Sequence, residues 1–389
     1  MPEALGVLAA AEVALRERFG GVRLTAVETL GGSDRSTVIR ASARGGGAPA
    51  TVIVKVHEPR AGEAVVREPA ALRVLGAVGG ALGPDLLAVG SRPPLLVLGD
   101  LGRGRSLADL LLGDDPAAAA SGIDAWGAAL GRLHAATGGI QPAFELGMAI
   151  DAARLGVPEP ASDDMPSLID TAAGHLSERL RSIGVTVRPA ALDELRSLPE
   201  LLGGGPAVCA LTPADACPDN NVLTDSGMAL LDFEGAQVRH VAWDASYLTV
   251  PWPSCWCAWP MPAQVARSGF DKWREAVTAA MPYVGSEGFD RDVIVARIGW
   301  AVATVAWLLP GALEEEDDSR TSGDGAPIPS RRALVQHRLR GVFEYPDPRL
   351  PALSALSKEV LTATLKVWGS HSLALAPVFR SETAQLGDA

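Results

Sequence analysis

The chain has little lysine, few cysteines and none of several common catalytic signatures. Of its 34 basic residues only Lys55, Lys272, Lys358 and Lys366 are lysine; arginine supplies the rest. None of the four follows a glycine, which excludes a Walker A phosphate loop. HExxH and GxSxG are both missing, so zinc-peptidase and α/β-hydrolase chemistry have no footing. Cys209, Cys217, Cys255 and Cys257 match neither a paired CxxC zinc site nor a dense disulfide framework, and reduced thiols are the expectation. The start lacks a basic n-region followed by an apolar core. The most apolar stretch, residues 293–309, contains Arg297 and meets Pro310, so it reads as a buried helix that stops there. A cytoplasmic protein without a membrane partner is expected.

What is present is a folded-protein composition of 48% hydrophobic and 21% charged residues over 389 positions. That length suits two or three domains, or one large two-lobed enzyme. The 46 acidic residues leave a net charge of -12, which argues against a nucleic-acid partner. Residues 1–103 carry +2 of that balance and the remainder -14. A strongly acidic second part can steer a cationic ligand, or can simply be a solvated surface.

Residues 4–18 have the pattern of an amphipathic helix. Three β-rich runs follow, at 22–30, 37–43 and 51–57, with a helix from about 63 or 68 to 75 and two further strands at 86–89 and 95–98. This order makes a small antiparallel sheet with one helix, complete near Asp100. Long helical patterns then take over, at 122–136, 169–183 and 190–202 among others. A strand-and-loop island at 208–235 interrupts them. The polar stretch 314–330 reads as a surface loop and its acidic run 314–318 as a solvated face.

Lys55 lies mid-strand in Thr51-Val52-Ile53-Val54-Lys55-Val56-His57, opposite the valine face. An ammonium there needs an anion, either phosphate oxygens or a carboxylate on the next helix. Glu68 is the first candidate and Glu63 the second. Pro69 is tolerated only in a first helical turn, so Glu68 is expected near its helix N-terminus. In the island, Asp215 precedes Asn220 by five residues, and Asp232 lies twelve further on in Asp232-Phe233-Glu234. An Asn amide oxygen and an Asp carboxylate are hard ligands suited to Mg²⁺. A further Asp beside them can orient a hydroxyl and take its proton during phosphoryl transfer.

Together these residues resemble the aminoglycoside phosphotransferase-type kinase family, a small-molecule branch of the protein-kinase-like fold. The resemblance runs in order from about residue 24 to 250. The family's catalytic loop reads His-Gly-Asp, four residues, Asn; here Pro213-Ala214-Asp215 and Asn220 fill those places. Asp232-Phe233-Glu234 is similar to its metal motif, and Lys55 with Glu68 to its nucleotide lysine and helix partner. The fold implied is α+β and two-lobed: residues 1–101 a small antiparallel sheet plus helix, residues 102–389 a mainly helical lobe with the catalytic loop, metal site and acceptor-binding helices.

The resemblance implies ATP or GTP and Mg²⁺ as cofactors. Asp215 would be catalytic, and Asn220 and Asp232 would hold the metal. Lys55, Glu68 and the turn residues Ser33, Asp34, Arg35 and Ser36 would bind the triphosphate. The hinge Val97, Gly99, Asp100 and Leu101 would hold the base. Asp244 would anchor the catalytic loop. The acceptor would be a small hydroxylated molecule, a cationic antibiotic such as an aminoglycoside among the candidates, bound by a monomer or homodimer. Replacement of His-Gly by Pro213-Ala214 leaves an alternative, a kinase-like binding protein with impaired catalysis. The cluster Trp252, Cys255, Trp256, Cys257 and Trp259 would either wall the acceptor pocket or pack in the core. His134, His175, His337 and His371 show no partner pattern and are expected to be structural.

Overall fold

Period-two runs build the first lobe. In the computed structural model, which describes residues 2–32, 35–315, 320–322 and 325–380, a helix α1 (Pro2–Phe19) precedes three strands. These are β1 (Arg23–Gly32), β2 (Ser36–Arg44) and β3 (Thr51–His57). After helix α2 (Ala64–Val78) come β4 (Leu86–Ser91) and β5 (Pro94–Gly99). All pairings are antiparallel, in the order β1-β2-β3-β5-β4, so β3 is the central strand. Alternation puts Val52, Val54 and Val56 against Leu8, Ala11 and Leu15 of α1 in one buried cluster. The same alternation turns Ile53 and Lys55 to the opposite face, over a cleft.

The second lobe is mainly helical: α3 (Leu107–Leu111), α4 (Pro116–Ala136), α5 (Gln141–Leu155), α6 (Met165–Arg181) and α7 (Pro189–Leu201). Four short strands follow, β6 (Cys209–Thr212), β7 (Asn221–Thr224), β8 (Gly227–Leu230) and β9 (Gln237–His240), with β6 paired to β9 and β7 to β8. Then come α8 (Ala242–Ala245), α9 (Ala263–Val277), α10 (Glu287–Glu314), α11 (Arg331–Glu344) and α12 (Pro351–Trp368). This is the two-lobed, protein-kinase-like fold that the sequence implies.

Three local expectations change. α2 runs through Pro69, its sixth residue, so Glu68 sits in the second turn and not at the N-terminus. The proline deprives one carbonyl of its helical donor. Packing offsets this, since Val66, Ala70, Leu72 and Leu75 share a core with Phe144 and Met148 of α5. α10 likewise continues past Pro310 to Glu314. It is the one described helix long and apolar enough to cross a membrane, and 72% of its most apolar window is buried inside the fold. Finally, Glu315 is not a solvated acid: its carboxylate accepts from the amides of Arg331 and Arg332 at the start of α11.

Candidate functional site

Lys55 is 6% exposed, and its ammonium meets three carboxylates. Nζ lies 2.8 Å from Glu68 Oε2, 2.5 Å from Asp232 Oδ1 and 3.6 Å from Glu234 Oε2. Burial works against the charged lysine, but Glu68 and Asp232 outweigh it and raise its pKa. One ammonium cannot neutralise three acids. Burial pushes Glu68 up to about 7 despite Lys55, and Asp232 and Glu234 add to the rise. Arg35 takes part of the excess through Glu234, at 2.8 Å.

The loop carrying Asp215 is held from beneath. Ala214, at φ 65°, occupies the left-handed region that glycine adopts most easily. Its carbonyl accepts from Arg239 Nη2 at 3.2 Å and from the Tyr247 hydroxyl at 2.8 Å. Its amide donates to Thr212 Oγ1 at 3.0 Å. Arg239 is paired with Asp244, whose other oxygen lies 3.1 Å from His134 Nε2. Trp273 Nε1, which can only donate, is 3.0 Å from His134 Nδ1, so the imidazole proton sits on Nε2 facing Asp244. Burial opposes the Asp244 charge, yet Arg239 and His134 hold the carboxyl well below the usual range. α4 and α9 bring His134 and Trp273 together by a close approach at Gly127, where a Cβ would stand 2.1 Å from the Gly269 carbonyl oxygen.

Asp215 itself is bonded on both oxygens. Ser254 Oγ donates to Oδ1 at 2.5 Å, and Asn220 Nδ2 lies 2.9 Å from the Asp215 carbonyl oxygen and 3.4 Å from Oδ2. Burial raises the Asp215 pKa to about 6, against the pull of the Ser254 hydroxyl, with Asp219, Asp232 and Glu234 adding to the rise. Asn221, buried, staples the loop by donating to the carbonyls of Cys217 and Pro218 and accepting from the Leu107 amide. Asp232 has φ 57° and ψ 67°, which turns its carboxylate back toward Lys55.

A cleft of about 620 Å³ gathers most of the expected residues. Lys55, Glu68, Arg35, Ser36, Gly99, Asp100, Leu101, Asn220 and Asp232 line it. Ser33 and Asp34 fall outside the described residues. Strand alternation turns the Val97 side chain into the cluster under α1, while Leu98 faces the cleft. The Asp100 carboxylate is occupied by Arg40, at 2.8 and 3.1 Å, and by the Gly102 amide at 2.9 Å. Among the described residues nothing bonds the amide of Leu101.

The chemistry of the donor set fits a hard divalent cation. Asn220 spends its amide nitrogen on Asp215, leaving Oδ1, and Asp232 and Glu234 bring more negative charge than Lys55 and Arg35 together balance once Glu68 is counted. Glu234 was legible only as the third letter of the Asp232 motif; its place on Lys55 makes it a fuller member of the site.

The expectation of reduced thiols holds for Cys209 and Cys257 and fails for the other two cysteines. Cys217, two residues after Asp215, forms a disulfide with Cys255, with the Cα atoms 5.7 Å apart. The Cys217 sulfur stands 2.9 Å from Asp215 Oδ1. Of the aromatic cluster, Trp252 is wholly buried edge-on to Trp126, and Trp259 is buried too. Trp256, 36% exposed, reaches Asp219 Oδ2 through Nε1 at 2.6 Å. Core packing therefore explains Trp252 and Trp259, and only Trp256 leans toward the catalytic-loop surface.

A small antiparallel lobe over a helical lobe, with a lysine–carboxylate cleft between, defines a kinase-like phosphotransferase. Residues 26–277 match the model of the phosphotransferase enzyme family, and the chain belongs to that family of small-molecule kinases. A protein described as an aminoglycoside phosphotransferase from Ralstonia eutropha is 13% identical, with a TM-score of 0.51 over 90% of this chain and 98% of its own. A choline/ethanolamine kinase family protein from Mesorhizobium loti is 18% identical (TM-score 0.48, 92% and 99% covered). Choline kinase LicA from Streptococcus pneumoniae is 15% identical (TM-score 0.49, 83% and 94% covered). No curated protein matches the chain.

Proposed function

We propose that the protein transfers the γ-phosphate of ATP or GTP to a hydroxyl of a small polar molecule, with Mg²⁺ as the cation. Residues 1–101 hold the nucleotide and residues 102–389 the acceptor. The observation that carries the reading is the convergence of Glu68, Asp232 and Glu234 on Lys55, beside a loop that aims Asp215. Lys55 binds the α- and β-phosphates once Asp232 turns to the metal, and Glu68 keeps the ammonium in place. Asn220 and Asp232, with Glu234 beside them, hold Mg²⁺, which when bound neutralises phosphate charge. Arg35 and Ser36 cover the phosphates, and the Leu101 amide offers a donor to the base. Asp215 orients the acceptor hydroxyl and takes its proton as the new O–P bond forms and the nucleoside diphosphate leaves. The -14 balance beyond residue 103 favours a cationic acceptor.

Where the family has His-Gly, the backbone of Ala214 is held by Arg239, Tyr247 and Thr212. That supports an active enzyme over a binding protein. The test is ADP release from ATP and Mg²⁺ across a panel of hydroxylated metabolites. Wild type is expected to respond to at least one acceptor, and Asp215→Ala to lose about 10²–10⁴-fold in turnover while still binding nucleotide. Full turnover in Asp215→Ala would sink the assignment.

A further inference from the structure

The helical lobe holds a second cavity, of about 610 Å³, walled by α9, α10, α11 and the turn at 248–251. It shares no lining residue with the nucleotide cleft. In a lobe with a large acidic excess, this wall carries Arg267, Arg297, Arg338 and Arg340, with Glu344 as its one carboxylate among the described residues.

Arg338 is 3% exposed. One Nη reaches the carbonyl oxygens of Pro251 and Pro253, at 3.5 and 3.4 Å, and its buried Nε has no partner. Arg297 stacks on the Tyr345 ring at 4.6 Å and donates to the carbonyls of Gly341 and Tyr345, and its buried Nε is also unpartnered. Arg340 has a 3.4 Å contact to the Gln336 side chain. Among the described residues, none of these guanidiniums forms an ion pair, although Glu344 is near enough to act on Arg297 electrostatically. A buried guanidinium without an anion is costly, and burial alone pulls Arg338 down to about 9. Among the described residues no carboxylate answers that charge, and the cavity is lined by it.

We propose that this cavity binds a small organic anion, its carboxylate or phosphate head paired with Arg338 and Arg297 and its apolar body against Met261 and Phe270. Guanidinium forks suit planar or tetrahedral oxyanions bidentately, which lysine would not provide. The site does not rest on the phosphotransfer reading. The segment 251–254 stands between the two: Arg338 meets it through Pro251 and Pro253, and Asp215 meets it through Ser254.

Isothermal titration calorimetry on the full chain tests the proposal, with phenyl phosphate and benzoate as probes and benzyl alcohol as the uncharged control. One anion site per chain is expected, weakened at least about tenfold in Arg338→Met and unchanged in Lys55→Met, with no binding of the alcohol. The tighter of the two anions identifies the head group. Arg267→Ala, at an exposed position, is the second variant and is expected to weaken binding without risk to folding. No saturable heat from either anion at millimolar concentration would overturn the site. So would binding lost in Lys55→Met but kept in Arg338→Met, which would put the anion in the nucleotide cleft.

Discussion

Lys55, Glu68, Asp232 and Glu234 carry more negative than positive charge, and Asp215 lies close enough to feel it. That field, added to burial, sets the pH behaviour of the proposed base. With its carboxyl raised to about 6, Asp215 must lose a proton before it can accept one. Turnover should therefore rise with pH through about 6 and fall about tenfold per unit below it, as a kcat–pH profile would show. A profile flat down to pH 4.5, about 1.5 units lower, would remove Asp215 from that role. Ala214 gives a stability prediction. Its left-handed backbone costs a β-carbon residue about 1 kcal/mol, so Ala214→Gly should raise the denaturant-derived unfolding free energy by about that much. Asp244→Ala would strand the buried Arg239 guanidinium and should cost about 3–5 kcal/mol in the same assay. Asp215, Asn220, Asp232 and Lys55 were legible because motif spacing and strand alternation are local properties. Ser254, Arg239 and Tyr247 were not, since each reaches the loop from a distant part of the chain and follows no fixed spacing.

Periodicity exposed most of the elements, and burial explains the misses. α2 and α10 pass through Pro69 and Pro310 because their apolar flanks pack on both sides, a tertiary gain that sequence rules at proline do not include. α2 is also tied to the helical lobe: Arg73 on α2 pairs with the buried Asp151 on α5. Glu68 is thus positioned from the lobe beneath as well as from the sheet above. The segment after α8 is fastened to the catalytic loop by Cys217–Cys255, a closure of 38 residues that cysteine spacing alone could not assign. Restricting that loop in the unfolded chain should contribute roughly 4 kcal/mol. The double variant Cys217→Ser/Cys255→Ser should lose a comparable amount relative to oxidised protein, measured by denaturant unfolding. Equal stability in the oxidised protein and the double variant would mean that the link does not form in solution.

Over the whole molecule, charge and architecture agree. The smaller lobe is nearly balanced, and the acidic excess lies on the part assigned to the acceptor. If that excess steers a cationic substrate, kcat/KM for a cationic acceptor should fall several-fold as ionic strength rises to physiological values, while a neutral acceptor shows little change. The fold class was readable from the order of strands and helices. The acceptor was not, because no motif in the helical lobe marks a substrate. The carboxylates around Lys55 are proposed to form a metal–triphosphate site, and the phosphotransfer reading depends on it. Calorimetric titration of a non-hydrolysable ATP analogue, with and without Mg²⁺, tests it most directly. One saturable site that requires Mg²⁺ and is lost in Asp232→Asn is the expected result. Equal affinity without the metal, or undiminished metal-dependent binding in Asp232→Asn, would contradict it.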